Sequence, residues 1–514
     1  MQPEIASKRL TIFVDAKVEP NSIKTINECL YDLNKNTGRN IHNKIQYEDI
    51  LDLLKKAIQN KVQALLTEEK YKNHNYVYFK TSTASIITEN KINFIKSLLR
   101  VLLSENGINK LDEDKTNLLF SSFIVDLDIQ KTFSTNFSTV QNNPPIFKIS
   151  LYKCNYSFPS SINEENLSEK LKNTVIIDDT ENDKFDMDDY SIMSITNKEN
   201  ENESKLNIND TKFLNKSQIT LLPDLKIDKV WECLQFPVDF KENIYRTASV
   251  FAQISQQNYI CNEPPTLNQF IIFHGPAGTG KTTMCKALAQ KLSIRMGNLE
   301  GNGILIEFPC GKIFSRWFGD STKNLEKLFS EIEQILEKGS MERTQTITPI
   351  CLLMDEVETI ASSRSSLMAK NETSDSIRVV NTLLTQIDKF KKYPNFLLLA
   401  TSNFFDSLDP AFVDRADKII RISLPSNVAC KRIIKNEIQK LIKSKIIIKR
   451  DSSNFYNINE SIIQNIGNNF YERKMSGRAI VKIPILCISQ YFDSVPVDYD
   501  TFILALSEFY KKEY

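Results

Sequence analysis

The sequence has no surplus of charge of either sign. Its 65 Lys and Arg residues nearly balance its 64 Asp and Glu residues, for a formal net charge of +1 over 514 residues. It also lacks a helix-turn-helix pattern and a basic arm, so nucleic acid is not expected as a partner. No segment approaches the ~20 consecutive apolar residues of a membrane-spanning helix, so no membrane partner is expected either.

Cysteine patterns that would indicate disulfides or zinc are also missing. The nine cysteines form no CxxC pair, and none lies at zinc-ligand spacing from the three histidines. We therefore expect reduced, buried thiols. The N-terminal segment lacks the apolar core of a secretory signal. These absences predict a protein of the cytosol or the nucleus.

The length predicts roughly two to four domains, because one hydrophobic core rarely supports so long a chain. In residues 1–158, strand patterns near Leu10–Val18 and Ile146–Tyr156 and helical spacing between them predict an α+β domain. Residues 159–216 are rich in Asn, Glu, Asp, Lys and Ser. That composition predicts a disordered acidic linker or insertion, with an acidic docking site as the alternative.

Short apolar runs alternate with helical patterns in residues 217–425. The runs include FIIFH, ILIEFP, ICLLMDE and FLLLATSN. Continuous apolar strands separated by helices predict an α/β region whose parallel sheet is buried on both faces. Residues 426–514 are predicted to be mostly helical, and the absence of tandem repeats argues against a solenoid.

A glycine-rich segment, GPAGTGKT, matches the pattern GxxxxGK(S/T) between a predicted strand and a predicted helix. Its glycines allow successive backbone N–H groups to face phosphates at a helix N-terminus. Lys281 is expected to reach the β and γ phosphates of ATP, and Thr282 to hold Mg²⁺. A glycine-rich turn that matches by chance is the alternative. The predicted nucleotide-binding residues are Gly275, Pro276, Ala277, Gly278, Thr279, Gly280, Lys281, Thr282, Thr283 and Asp355.

Polar residues end two of the apolar runs. ICLLMDE ends in Asp355 and Glu356, and FLLLATSN ends in Asn403. Asp355 is expected to hold Mg²⁺ through water, and Glu356 to polarise the attacking water. Asn403 could orient that water. Solvated acids at a strand end and ordinary turn chemistry are the alternatives.

With these residues in place, the sequence resembles the AAA family of AAA+ ATPases. GPAGTGKT resembles its Walker A motif, LLMDE its Walker B motif, and TSNFFDSLDPAFVDRAD its second region of homology, with Asn403 as sensor 1. The resemblance implies that Arg415 is an arginine finger reaching a neighbouring subunit's γ-phosphate. Many relatives carry a second arginine where this chain has Lys418, so a single finger is implied. Arg478, in the sequence SGR, is implied to be a sensor 2 arginine, with a solvated arginine as the alternative.

A narrower resemblance covers about residues 219–486. GKIFSRWFGDSTKNLEKLF, SDSIRVVNTLLTQID and SGRAIVKIPIL closely resemble the pachytene checkpoint protein 2, or thyroid receptor-interacting protein 13, family. Most of the first 140 residues show no such match. The family implies that Arg316, Trp317 and Phe318 form a substrate-gripping pore loop, although Trp317 alone could equally be a core residue. WECLQF resembles the segment near adenine, and simple core packing is an equal alternative.

The resemblance implies an α/β AAA+ P-loop ATPase with a parallel-sheet large subdomain, residues 217–425, and a helical lid, residues 426–514. The α+β domain of residues 1–158 is then expected to bind the substrate or an adaptor. The resemblance further implies a homohexamer that converts HORMA-domain proteins from a closed to an open form, often with a HORMA-type adaptor, in the nucleus and cytoplasm and on chromosomes. Two alternatives are an AAA+ unfoldase with an unrelated substrate and a ring that binds ATP without hydrolysing it. A DNA-directed clamp loader or initiator is a weaker third.

Overall fold

The computed structural model describes residues 11–18, 47–67, 76–80, 124–131, 146–152, 219–261, 263–264, 266–296, 303–310, 321–341, 349–362, 374–448 and 456–513. The predicted pore loop, Arg316, Trp317 and Phe318, and the predicted linker, residues 159–216, lie outside the described residues. The four predicted domain boundaries stay predictions, because the segments around several of them are not described. None of the described helices is long and apolar enough to cross a membrane.

Four strands and a helix are described in the N-terminal region. They are β1 (Thr11–Val18), α1 (Tyr47–Thr67), β2 (Tyr76–Lys80), β3 (Ile124–Lys131) and β4 (Ile146–Tyr152). The sheet order is β2-β3-β1-β4, with β1 antiparallel to β3 and parallel to β4. Side chains alternate across β1, so Ile12, Val14 and Ala16 are fully buried. Residues 13, 15 and 17 therefore share the opposite face of this central strand.

A second sheet of six strands forms the centre of the molecule. The strands are β5 (Ile219–Leu222), β6 (Phe270–His274), β7 (Gly303–Pro309), β8 (Ile350–Asp355), β9 (Phe396–Ser402) and β10 (Lys418–Arg421). Their order is β10-β6-β9-β8-β7-β5, and all neighbours are parallel except β5, which is antiparallel to β7. This is the mostly parallel sheet that the apolar runs predict.

Helices cover both faces of this sheet. They are α2 (Val230–Cys233), α3 (Val238–Ile260), α4 (Lys281–Met296), α5 (Ser321–Met341), α6 (Ser374–Phe390) and α7 (Pro410–Asp414). One core packs alternate strand residues such as Ile272 against α5 and α6, and the other packs residues such as Ile271 against α3 and α4. Burial on both faces explains why these strands lack polar alternation.

The C-terminal region is a helical lid with its own core. It contains α8 (Asn427–Lys443), β11 (Ile447–Ile448), α9 (Tyr456–Glu472), α10 (Gly477–Tyr491), β12 (Val497–Asp498) and α11 (Tyr499–Glu513). The core includes Phe470, Ile480 and Phe502. Ser426 and Ser476 each accept a backbone hydrogen bond, at 3.3 Å, that caps the start of a helix.

None of the described cysteines forms a disulfide with another described residue, and two of them are exposed. Cys285, Cys310, Cys351, Cys430 and Cys487 are buried, as expected, and burial raises the pKa of Cys351 to about 12. The expectation of burial is wrong for the remaining described pair, Cys233 and Cys261. Each lies at the end of a helix beside a loop, where the sheet does not cover it. No group of three potential metal-ligating side chains is present within the described ranges.

Gly303 determines how closely α4 approaches the sheet. A Cβ atom at Gly303 would lie 2.6 Å from Ser293 Cβ, a distance that real packing does not allow. Gly303→Ala should therefore lower the free energy of unfolding, by about 1–3 kcal/mol, as overpacked cores do. Thermal and denaturant unfolding would measure the loss. Ser293→Gly removes the opposing atoms, so the double variant should lose less than the two single losses summed, and additive losses would contradict this contact.

Candidate functional site

Three neighbouring parallel strands, β6, β9 and β8, bring their carboxyl ends to one edge of the central sheet. Ligands of open α/β sheets bind at such an edge. A cavity of about 110 Å³ lies here, which we call the phosphate cavity. It is lined by Ala277, Gly278, Gly280, Lys281, Thr282, Thr283, Asp355, Glu356, Thr401, Asn403 and Arg478. The structure thus gathers residues that lie up to about 200 positions apart in sequence, as 277 and 478 do.

The glycine-rich loop between β6 and α4 uses backbone conformations that suit glycine. Gly275, Gly278 and Gly280 have φ values of 144°, 74° and 97°. Gly275 also passes so close to the backbone of Ile422 that a Cβ would lie 3.1 Å from its carbonyl carbon. The loop therefore tolerates no side chain there, and it delivers the chain directly to the first residue of α4, Lys281.

Lys281 is held across the mouth of the loop by three oxygen acceptors. Its Nζ donates to the backbone oxygens of Gly275 and Pro276 and to Asn403 Oδ1, each at 2.8 Å. Burial lowers the pKa of Lys281, while nearby Glu358 and other carboxylates act in the opposite direction. All three acceptors are neutral, so a phosphate oxygen would be a stronger partner for the ammonium group. The lysine is thus ready to bind an anion in this cavity.

A cluster of hard oxygen atoms lies beside Lys281. Thr282 Oγ1 donates to Asp355 Oδ1 at 2.7 Å, and Thr401 Oγ1 donates to the same carboxylate oxygen. A hydroxyl and a carboxylate are ligands that Mg²⁺ accepts, with phosphate oxygens and water completing its shell. Two protein ligands of this kind fit a magnesium ion brought in with a nucleotide, and they do not form a complete metal site alone.

Glu356 adopts a left-handed backbone conformation immediately after β8. Its φ and ψ are 53° and 51°, and its N–H donates to Thr401 Oγ1 at 3.1 Å. A non-glycine residue in this conformation costs free energy, and such residues cluster at functional sites. The turn places Glu356 in the wall of the phosphate cavity, where a carboxylate can accept a proton from water.

Glu358 fixes the orientation of Asn403, and the sequence analysis did not identify it. Glu358 Oε1 accepts from the backbone N–H of Asn403 at 3.1 Å and from its Nδ2 at 3.2 Å. The amide oxygen of Asn403 is thereby left to face Lys281. Glu358 Oε2 is buried and has no hydrogen-bond partner among the described residues. The only signal in the sequence is a second acid two positions after Glu356.

The lid reaches the phosphate loop at the start of α10. The Arg478 N–H donates to the Gly278 oxygen at 3.1 Å, and a Cβ at Gly278 would lie 2.9 Å from Ser476 Oγ. Gly278 is therefore needed both for its positive φ and for this close approach. The contact places Arg478 in the wall of the phosphate cavity, as a sensor in the same chain requires.

Arg415 lies elsewhere, at the end of α7. Its Nη2 and Nε donate to Asp388 Oδ2 at 2.8 and 3.2 Å, and its Nη1 donates to the Ala411 oxygen at 2.9 Å. Burial would raise the pKa of Asp388, but the hydrogen bond from Arg415 and nearby Lys391 lower it overall. Arg415 is not among the described residues that line the phosphate cavity of its own chain.

A larger cavity, of about 760 Å³, adjoins the phosphate cavity through Gly278 and Gly280. Its described lining includes Asp228, Cys233, Leu234, Phe236, Ile422 and Val481. These walls are mainly apolar, as sites for flat aromatic ligands are. In WECLQF, Trp231 is a core residue, with 3% of its surface exposed, while Leu234 and Phe236 line the cavity. Core packing is thus seen for Trp231, and the placement of this segment beside adenine stays a prediction.

Lys241 holds this wall segment in place. Its Nζ donates to the backbone oxygens of Trp231 at 2.9 Å and Leu234 at 3.2 Å. Burial lowers the pKa of Lys241 to about 8. Sequence motifs cannot reveal this role of Lys241, because every residue has a backbone carbonyl and the two that it binds do not depend on side-chain type.

Comparisons with known proteins agree with this architecture. The family described as "ATPase family associated with various cellular activities (AAA)" matches residues 271–424. Pachytene checkpoint protein 2 of Saccharomyces cerevisiae is 36% identical over 468 residues, covering 82% of this chain and 82% of that protein. The Homo sapiens pachytene checkpoint protein 2 homolog is 34% identical over 299 residues, covering 56% of this chain and 67% of its own length.

A solved structure of C. elegans PCH-2 has the same fold. It matches with a TM-score of 0.59 at 20% sequence identity, covering 98% of this chain and 99% of that one. The predicted α/β AAA+ fold class is thereby confirmed. The yeast alignment spans more of this chain than the part after residue 140 can supply, so it also includes N-terminal residues that showed no match by sequence inspection. The chain belongs to the pachytene checkpoint protein 2 family of AAA ATPases.

Proposed function

We propose that this protein is an ATP-driven motor that remodels HORMA-domain proteins from a closed to an open form in spindle checkpoint and meiotic chromosome axis control. The observation that carries the motor chemistry is the phosphate cavity, which gathers an anion-binding lysine, a hydroxyl–carboxylate pair, a candidate base and two polar sensors. Family membership supports the substrate class. We place the protein in the nucleus and cytoplasm for the same reason.

Each residue of the phosphate cavity has a separate task in hydrolysis. Lys281 and the loop N–H groups bind the phosphates of ATP. Thr282 and Asp355 would hold Mg²⁺, which neutralises phosphate charge when bound. Glu356 takes a proton from the attacking water as its oxygen bonds to the γ-phosphorus, and the bond to the leaving ADP oxygen breaks.

Two further residues make the site respond to the γ-phosphate. Asn403 is held by Glu358 and accepts from Lys281, and we assign its amide to orient the attacking water. Arg478 adds positive charge from the lid, and it is directly bonded to the loop through its backbone. Loss of the γ-phosphate removes the anion that Arg478 faces, and this would alter how the lid sits on the loop.

The working unit in this proposal is a homohexamer. Arg415 is bound to Asp388 and is not among the described residues that line its own phosphate cavity, and we assign it to a neighbouring chain's site, as the family implies. Substrate gripping is assigned to Arg316, Trp317 and Phe318, as implied by the family. An ATP-binding scaffold is disfavoured, because a residue in each hydrolytic role is present. An unfoldase with an unrelated substrate shares this chemistry and differs only in its response to HORMA proteins.

ATP turnover tests both the proposed motor chemistry and the proposed substrate class. A closed HORMA-domain protein with its adaptor should stimulate the ATPase rate, because we expect the ring to turn over ATP faster when it has engaged a substrate. Glu356→Gln should retain ATP binding and lose turnover by about 10²–10⁴-fold, the usual contribution of a general base. Phosphate release and binding of a fluorescent ATP analogue measure the two quantities.

The control in this experiment is an unrelated folded protein at equal concentration. If the protein hydrolyses ATP but no HORMA protein stimulates it, the motor assignment would stand and the proposed substrate class would be wrong. An assembled ring that binds ATP without any turnover would support the scaffold instead. Normal turnover by the Glu356→Gln variant would show that another group is the base.

Glu358→Gln tests the positioning of Asn403. The substitution removes the charge from the acceptor of two Asn403 hydrogen bonds and lets the side chain donate as well. We expect turnover at saturating ATP to fall roughly tenfold, since charge-assisted hydrogen bonds contribute about 1.5–3 kcal/mol. ATP affinity should change little. Glu333→Gln, which alters a carboxylate bound to Lys392 away from the cavity, is the matched control. Equal turnover in the two variants would contradict the role of Glu358.

Mixed rings test whether Arg415 acts between chains. Rings made only of Arg415→Ala or only of Glu356→Gln should be inactive. In a random equal mixture, about one quarter of the sites would combine an intact Glu356 with an intact neighbouring Arg415, so turnover should recover towards that fraction if the arginine acts in trans. Co-expression of the two chains provides the rings. No recovery in verified mixed rings would assign Arg415 to its own chain's site.

A further inference from the structure

A buried cluster of charges joins the N-terminal sheet to the phosphate-loop helix, α4. Lys291 Nζ lies 2.8 Å from Asp15 Oδ2, and Arg295 Nη2 lies 2.9 Å from the same oxygen. Lys291 also lies 2.6 Å from Glu232 Oε1 in α2. The side chains of Asp15, Lys291 and Arg295 are 1%, 4% and 4% exposed. Two acids and two bases thus neutralise one another away from water.

Aromatic contacts surround the same cluster. The Arg295 guanidinium lies 4.4 Å from the ring centre of Phe13 and 4.7 Å from that of Tyr245 in α3. The Phe13 and Tyr245 rings meet edge to face at 6.0 Å. A guanidinium over aromatic faces gains cation–π attraction where water is excluded. Phe13 and Asp15 lie on the face of β1 opposite Ile12, Val14 and Ala16. This face of β1 therefore packs against the ATPase region.

Lys17 extends the contact to the wall of the larger cavity. Its Nζ lies 2.6 Å from Asp228 Oδ2, and Tyr152 of β4 donates to Asp228 Oδ1 at 3.4 Å. Asp228 lines the larger cavity, and Glu232 lies in α2 immediately before the lining residue Cys233. The N-terminal sheet therefore contacts two parts of the nucleotide site: the helix that starts at Lys281 and the wall formed by residues 228–236.

Because the contact consists of buried ion pairs, we infer that it fixes the orientation of the N-terminal sheet relative to α4. Buried ion pairs often contribute less stability than apolar residues of the same volume, because desolvation offsets their attraction. They do require a particular geometry, and one missing partner leaves a buried charge uncompensated. Burial would raise the pKa of Asp15, but Arg295 and Lys291 outweigh it and bring that pKa to about 2. Asp15 is therefore ionised at neutral pH. Its buried charge requires Lys291 and Arg295 to stay beside it.

We propose that Asp15 and Lys17 are positioning residues for the nucleotide site, through which the docked N-terminal sheet fixes α4 and the 228–236 wall and so sets nucleotide affinity. The inference rests on the proposed function, since it assumes that the two cavities bind ATP. By linkage, a nucleotide that binds the docked arrangement more tightly must stabilise docking to the same extent. Nucleotide binding and N-terminal docking would then each report on the other.

The test compares nucleotide affinity in the full-length protein with the Lys17–Asp228 pair intact, broken and reversed. Lys17→Met keeps the aliphatic stem and removes the charge, and we expect it to weaken binding of a fluorescent ATP analogue by about fivefold, within the range of measured couplings between sites. Turnover at saturating ATP should stay within about twofold, because Asp228, the ion-pair partner of Lys17, lines the larger cavity and is not among the described residues that line the phosphate cavity. Asp15→Asn should act in the same direction.

Rescue by charge reversal separates positioning from folding. Lys17→Asp and Asp228→Lys should each weaken binding, and the double variant should bind more tightly than either, because the pair is restored with opposite polarity. Glu307→Gln is the matched control. This substitution weakens the 2.7 Å contact of Glu307 in β7 with Lys286, which lies in α4 as Lys291 does. It leaves the contacts of Asp15 and Lys17 unchanged, and the variant should keep the parent affinity.

The possible outcomes have different meanings. Parent-like affinity in Lys17→Met and Asp15→Asn, with only the melting temperature lowered, would reduce this contact to a structural one and overturn the inference alone. The same is true if Glu307→Gln weakens binding equally. A parent protein that binds no ATP analogue would refute the proposed function, and the inference with it.

Discussion

The backbone of Ile422 approaches Gly275 so closely that no side chain fits between them, and the geometry of the phosphate cavity follows from this contact. The loop must leave β6 with a positive φ, turn at two further glycines and enter α4 at Lys281. Once the loop is placed, the parallel register of β6 with β9 and of β9 with β8 brings Asn403 and Asp355 to the same edge. The conformation of the loop and the topology of the sheet thus together determine which residues line the phosphate cavity.

Sequence reasoning located the residues whose roles depend on local pattern. The phosphate loop combines a fixed spacing with a preceding strand and a following helix, and Asp355 and Asn403 end continuous apolar runs. Parallel strands place such ends together, so their convergence could be expected before the structure was known. The buried sheet was predictable for the same reason, since apolar runs without alternation fit burial on both faces.

Other roles depend on contacts between distant segments and leave no trace in spacing. Glu358 is one of several acids near β8, and only its two bonds to Asn403 distinguish it. Lys241 binds main-chain oxygens, which any sequence supplies. Asp15 looks like one polar residue of an alternating strand, and its burial against Lys291 appears only when the N-terminal sheet and α4 are seen together. Tertiary packing, and not propensity, decides each case.

The helix α4 and the loop before it contact two other parts of the chain, the lid and the N-terminal sheet. At its start, the lid contacts the loop through Arg478 and Gly278. At its far end, Lys291 and Arg295 bind the N-terminal sheet through Asp15. A helix of this length transmits displacement with little internal deformation, because its backbone hydrogen bonds keep a fixed rise per residue. A shift imposed on either end must therefore move Lys281 relative to the strands. In the proposed arrangement, this one helix would connect docking of the N-terminal sheet, nucleotide binding and lid position.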